Sequence, residues 1–258
     1  INLPTGGPVA TKLPFTPNAS LATSPSGEIF GADSVSLLRG ASADAMTRFY
    51  AIGGEVHLAR LPRAVWKEQL MRMKAGGLNT VAVYVFWIHH EEQRGKFDFT
   101  GRRDIRQFVT LAKELDLHVL MRIGPWDHGE CRNGGHPDWV LDQESCGALR
   151  STDPKYLSCV SGWYSALAEQ LKGLFHKDGG PIALVQVDNE TSDWKYLLAL
   201  RELAMSLGIL PTMFTKTGWP GPAAGYPSDY PMVRSLTLGR IYRANRWLVR
   251  PGHSSLTF

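Results

Sequence analysis

The chain has 258 residues, 43% of them hydrophobic and 20% charged, the composition of a globular protein with enough apolar material for a core. No apolar run approaches the roughly 20 residues that cross a bilayer, which excludes a spanning helix. The formal charge of +4 sits in residues 232–258, whose five arginines (Arg234, Arg240, Arg243, Arg246, Arg250) are joined by no acid or lysine; the rest, with 23 basic and 24 acidic residues, has no basic stripe to follow phosphates and is not read as a nucleic-acid binder.

The chain opens on Ile1, so its natural N-terminus is expected to be missing. Residues 1–45 are rich in Pro, Gly, Ser, Thr and Ala and read as a loose lead-in with a short strand near 34–38. A rhythm then begins. "RFYAIGGEVH" (48–57) is strand-like. "RAVWKEQLMRMKAGG" (63–77) spaces Val65, Leu70, Met73 and Lys74 helically and stops at a glycine pair. "NTVAVYVFW" (79–87) is a β-branched and aromatic strand, "RDIRQFVTLAKELD" (103–116) a second amphipathic helix and "LHVLMRIGP" (117–125) a third strand. After a long loop come a helix over 155–174, a strand over 182–188, a helix over 194–208 and a fifth strand over 210–216.

Alternating strands and helices predict an α/β fold with parallel pairing. Gly53 and Gly54 lie inside the first strand rather than in a G-x-G-x-x-G turn, so no dinucleotide motif is present. Polar and aromatic residues gather after four strands in succession: Glu55 and His57, Tyr84 and Trp87, Trp126 to Glu130, Asn189 and Glu190. That distribution favours a (β/α)8 TIM barrel over an open sheet, with about the first five β/α units in this chain. The domain reading is a lead-in over 1–45, a partial barrel over 46–231 and an atypical arginine-rich tail over 232–258.

Three cysteines, Cys131, Cys146 and Cys159, lack metal-ligand spacing and read as ordinary buried or loop thiols, with at most one disulfide among them. His89 and His90 are read on a strand end, pointing to opposite sides, and predict no metal site. Trp66 and Trp163 read as packing residues; Trp87 reads equally as core or sugar platform. Glu55 and His57 are either pocket residues or residues that satisfy the barrel base.

"IALVQVDNE" (182–190) ends an apolar strand on Asp188, Asn189 and Glu190. A glutamate at such a strand end among aromatic neighbours fits a general acid/base. The plain alternative is that the three polar residues cap the next helix in water.

"GGPIALVQVDNE" (179–190), "GGEVHLARLPRAVWKEQLMRMKAGGLNTVAVYVFW" (53–87), "GKFDFTGRRDI" (95–105) and "RIGPWDHGECRNGGHPDWVL" (122–141) together resemble glycoside hydrolase family 35, the retaining β-galactosidases, over roughly residues 48–220. The resemblance implies Glu190 as the acid/base and places Asn189 at the galactose 2-hydroxyl. It implies Tyr84 and Glu130 as pocket residues, and His128 joins them as substrate-binding. It implies a β-galactoside oligosaccharide or glycoconjugate as substrate, no cofactor, and export or a degradative compartment. Departures lie at Trp126–Asp127, at His128 (cysteine or asparagine in the family), at Gly129 (alanine) and at Thr191–Ser192.

A retaining glycosidase needs a second carboxylate about 5–5.5 Å from the first. After Glu190 only Asp193, Glu202 and Asp229 remain, and none matches the family's nucleophile motif. The likeness stops near residue 232. The expectation is a truncated chain, unstable or aggregating alone through its open sheet edges and possessing only one of the two carboxylates. Two rivals stay open: another barrel β-glycosidase, or a carbohydrate-binding product without turnover.

Overall fold

In the computed structural model the described residues are 20–23, 29–32, 37–40, 47–191, 193–209, 212–216 and 229–231. Strands β1 (Ser20–Thr23), β2 (Ile29–Ala32), β3 (Leu37–Gly40) and β4 (Thr47–Arg48) pair antiparallel in the order β1-β2-β3-β4. The sequence reading had one short strand here, near 34–38. Strands of four residues or fewer, separated by polar stretches, are too short for alternation to stand out.

The second sheet carries the predicted rhythm. Strands β5 (Gly53–Val56), β6 (Thr80–Tyr84), β7 (His118–Arg122), β8 (Ile182–Gln186) and β9 (Thr212–Lys216) are all parallel neighbours in chain order, and β10 (Asp229–Pro231) pairs antiparallel with β9. Helices α1 (Trp66–Ala75), α3 (Ile105–Glu114), α5 (Pro154–Leu171) and α6 (Trp194–Ser206) make the crossovers, with short α2 (Trp87–His90) and α4 (Gln143–Cys146) in the loops. All five parallel strands and all four crossover helices fall where the sequence places them.

Aspartates set the starts of three of the four crossover helices. Asp104 Oδ1 accepts from the Gln107 amide at 2.9 Å, Asp153 Oδ1 from Lys155 at 2.8 Å, and Asp193 Oδ1 from Lys195 and Tyr196 at 3.0 and 3.2 Å. Side chains alternate across the sheet. Val81, Val83, Val119, Met121, Val185 and Val187 share one core with Trp66, Phe108, Val160 and Trp163 from the helices. Leu184 and Leu120 belong to the opposite face, in a small cluster with Phe49 and Ala183. On that opposite face the register aligns Tyr84 with Arg122 and Arg122 with Gln186, so three polar side chains stand in a row across the strand ends.

Two local expectations are corrected and one left open is decided. His89 and His90 lie on α2, because the 79–87 strand stops at Tyr84 and the chain turns at Val85–Phe86. Trp87 is fully buried, donates to Glu91 Oε2 at 2.6 Å and stacks on Trp163 at 6.0 Å; it is core. Cys146 and Cys159 are joined in a disulfide that ties α4 to α5, leaving Cys131 as the free thiol among the described residues. The two lie thirteen apart in sequence on different elements, a pairing that spacing alone does not reveal. None of the described helices is long and apolar enough to cross a membrane.

Candidate active site

Four strand ends build one site. Arg122, closing β7, is its hub. Its Nη1 donates to Glu55 Oε2 at 2.8 Å and its Nη2 to Asn189 Oδ1 at 2.8 Å, while the guanidinium lies 3.8 Å over the Tyr84 ring. A cation held over a ring and forked between two acceptors has little freedom. Glu55 in turn meets His57 Nε2 at 2.8 Å through its other oxygen. Glu55 and His57 are thus linked through Arg122 to Asn189, the residue before Glu190.

Tyr84 is buried and stacks on Phe86 with ring centres 5.1 Å apart. Burial pushes its hydroxyl up to about 12, opposed by Arg122 and reinforced by the carboxylates of Glu55, Asp127 and Glu130. It stays a neutral phenol able to donate a hydrogen bond. The turn His128–Gly129–Glu130 runs through three consecutive positive φ angles, +57°, +53° and +48°. Arg60 pins this turn by donating to the Gly129 carbonyl at 2.5 Å. A Cβ on Gly129 would lie 2.6 Å from Phe86 Cζ, so the turn can lie this close to the rings only as glycine.

The strand end after β8 is not a solvated cap. Asp193 caps α6, whereas Asp188 and Asn189 are buried. Asp188 Oδ1 accepts from Arg150 Nη2 at 2.6 Å and from the Asn189 amide at 2.7 Å; Oδ2 accepts from Tyr196 at 2.8 Å. Burial raises its carboxyl, and Arg150 pulls it back. Asn189 Oδ1 accepts from Arg122 and, at 3.0 Å, from Gln186 Nε2. Its Nδ2 faces His128 Nδ1 at 2.8 Å. Glu190, at φ +55°, brings Oε2 to 3.2 Å from the same His128 nitrogen, and its side chain keeps 18% exposure. Left-handed, non-glycine residues at 188 and 190 are the strained kind that cluster at working sites.

Tyr84, His128, Asn189 and Glu190 are therefore brought together around Arg122. Glu130 stands apart: its side chain is exposed at the rim, near enough for its charge to act on Tyr84. Sequence reading missed Arg122, Arg150 and Gln186. A charged residue ending an apolar strand was the available signal for Arg122; Arg150 sits in a loop with no local pattern. Asp127 is fully buried with Oδ2 unpaired, and burial pushes its carboxyl well above the usual range. No group of three or more His, Cys, Asp or Glu among the described residues could hold a metal ion.

Parallel strands whose carboxyl ends gather carboxylates, an amide and stacked rings define an α/β protein with a candidate site at its strand ends. The model of glycosyl hydrolases family 35 matches residues 44–245, and the chain belongs to that family. The match runs into the arginine-rich stretch, past the point where the motif likeness stops. A β-galactosidase from Canis lupus familiaris is 43% identical over 160 residues, covering 60% of this chain and 24% of the dog protein. One from Felis catus is 43% identical over 176 residues, 66% of this chain and 26% of the cat protein. The chain thus spans about a quarter of the length of these relatives. Among solved structures, GH5_18 from Streptomyces cattleya in complex with GlcNAc aligns at a TM-score of 0.51 with 15% identity, over 63% of this chain and 43% of its own; that likeness concerns the fold alone.

Proposed function

We propose that the chain is the acid/base half of a retaining β-galactosidase, acting on terminal β-galactosides. The observation that carries this reading is the position of Glu190. It ends a buried strand, is partly exposed, and follows an asparagine locked by Arg122 and Gln186. In the first step its carboxyl gives a proton to the glycosidic oxygen; in the second its carboxylate takes one from water. Tyr84 and Asn189 line the sugar with a phenol donor and a fixed amide, His128 stands beside them, and Glu130 reaches the sugar only from the exposed rim. The parallel sheet is the first part of a (β/α)8 barrel, with its site at the strand ends.

The nucleophilic carboxylate is not assigned. Asp193 is engaged as the α6 cap and Glu202 is exposed on the same helix, while the side chain of Asp229 lies outside the described residues. A second reading of the same site is sugar binding without turnover. The disulfide supports export or an oxidising degradative compartment.

The test is hydrolysis of nitrophenyl β-galactoside by the purified, folded chain beside Glu190→Gln. Turnover that falls roughly 100-fold or more in the variant supports the acid/base role. Turnover unchanged in the variant overturns it. A folded chain that binds galactose without turnover supports the second reading, and turnover of glucosides or mannosides in preference to galactosides moves the substrate to another β-glycoside.

A further inference from the structure

Arg150 acts on the β8 strand end through the backbone as well as through charge. Its Nη2 donates to the Asp188 carboxylate and, at 2.5 Å, to the Asn189 carbonyl. That carbonyl belongs to the peptide that leads into Glu190, whose φ is +55°; Asp188 stands at +52°. Left-handed backbone at residues with a Cβ is unfavourable and persists only where its neighbours over-determine it. Arg150 holds this peptide, so the direction of the Glu190 side chain depends on where Arg150 sits.

The position of Arg150 is set by the loop 147–153. The C-terminal end of this loop enters α5, eighteen residues long, through its cap Asp153. Within the loop, Asp153 Oδ2 accepts from the Ala148 amide at 2.9 Å and Ser151 Oγ donates to the Ala148 carbonyl at 2.7 Å. The N-terminal end is α4, only four residues. A single helical turn has no stability of its own. Lys155 Nζ, on α5, donates to the Glu144 carbonyl of α4 at 3.0 Å, but at the exposed surface. Cys146, the last residue of α4, is fully buried and bonded to Cys159 in the body of α5. The bridge thus clamps the weak end of the loop onto the strong one.

We propose that the Cys146–Cys159 bridge is a redox-sensitive brace for the strand end, acting through Arg150 as a positioning residue. While intact it keeps Arg150 on Asp188 and Asn189; its reduction frees the turn 188–190 within a sheet that stays folded. A dithiol carries out the reduction. The sulfur–sulfur bond breaks, two cysteine thiols form with the two protons of the dithiol, and the dithiol closes to its own disulfide. Attack begins at Cys159, which is 7% exposed, because Cys146 has no exposure. That the freed residue is the acid/base rests on the hydrolase reading above; the coupling of bridge to strand end does not.

Two measurements test this on the intact chain. The first is amide NMR of the 15N-labelled protein, oxidised and after reduction with dithiothreitol, the extent of reduction being read by alkylation in denaturant. The amides of residues 188–190 should shift and their order parameters fall from about 0.85 towards about 0.6, while those of Val81, Val83 and Val119 hold. The same pair of spectra is taken on Arg150→Met combined with Asp188→Asn, which removes the link without leaving a buried charge unpaired. Residues 188–190 should already be loose there, and reduction should move them no further. Amides that do not respond in the parent, or that respond equally in the double variant, overturn the proposal. So does a reduced chain that unfolds outright, since the bridge then supports the whole fold. The second measurement is turnover of nitrophenyl β-galactoside. Reduction should lower kcat about tenfold or more, the cost of a misplaced catalytic group, with KM changed by less than about threefold. An unchanged kcat overturns the link to Glu190. A parent that turns over no galactoside fails the hydrolase reading, and the spectra then decide the brace by themselves.

Discussion

Arg150 Nη2 donates to Asp188 Oδ1 at 2.6 Å and to the Asn189 carbonyl at 2.5 Å, binding a loop between α4 and α5 to the strand end that carries Glu190. The guanidinium also lies 4.7 Å over the Trp126 ring. Asp188 is fully buried, so this cation is its charge partner in a medium that does not tolerate a lone carboxylate.

Removing that partner should be costly. Arg150→Ala strands a buried charge and should lower the unfolding free energy by about 3–5 kcal/mol. Arg150→Lys keeps the charge without the fork or the stack, and should recover only part. Denaturant titration of the three proteins checks this; a loss below about 1 kcal/mol for the alanine variant would show that the pair does not hold the strand end.

Asp127 gives a pH dependence of opposite origin. Burial raises its carboxyl first, Arg122 opposes, and Asp188 reinforces. The folded state therefore keeps a proton that the unfolded chain releases above about pH 4. The stability from this group is complete below the ordinary aspartate value and is lost as pH rises through the raised one. Asp127→Asn, neutral throughout, should gain on the parent as pH rises from about 4 towards 7, by up to about 1.4 kcal/mol per pH unit. Melting curves at several pH values read this directly; a difference that stays flat with pH would refute it.

The Cys146–Cys159 bridge closes a loop that contains Arg150. Alkylation of the unfolded, non-reduced chain should modify only one of its three cysteines, and reduction should expose all three. Reduction should also cost about 3 kcal/mol of stability. Mass spectrometry and thermal unfolding with and without reductant test both statements; three alkylations without reductant would dismiss the bridge.

Strand β5 ends the second sheet without a further neighbour among the described residues. Just before it, Tyr50 and Ile52 are 61% and 58% exposed. An apolar approach to an open edge invites pairing between chains. The isolated chain is expected to self-associate with rising concentration, and Ile52→Lys to reduce this. Light scattering across a concentration series decides; a parent that stays monomeric and melts cooperatively rejects the idea.

The parallel strands and crossover helices were legible because each repeats a period long enough to be counted. In α3, Ile105, Phe108, Val109 and Ala112 are spaced helically and are all buried. The candidate site was legible only in its strand-end residues. Asn189 and Glu190 stand next to each other in sequence, but what holds them does not: Arg122 is 67 residues from Asn189 and Arg150 is 38 from Asp188. Such partners are chosen by register and loop path, and no local pattern encodes them. The disulfide escaped for the same reason. Trp87 was undecidable because a ring at a strand end suits a core or a pocket equally until the backbone turns.

Gly129 and Phe86 also bear on how this pocket could have come to differ from its relatives. Alanine, the residue that family resemblance places at 129, would put its methyl 2.6 Å from the Phe86 ring. An alanine there requires the Phe86 ring to move aside or the side chain at 86 to become smaller. A chimera that swaps only the 126–130 turn should fail in a way that one exchanging position 86 as well does not.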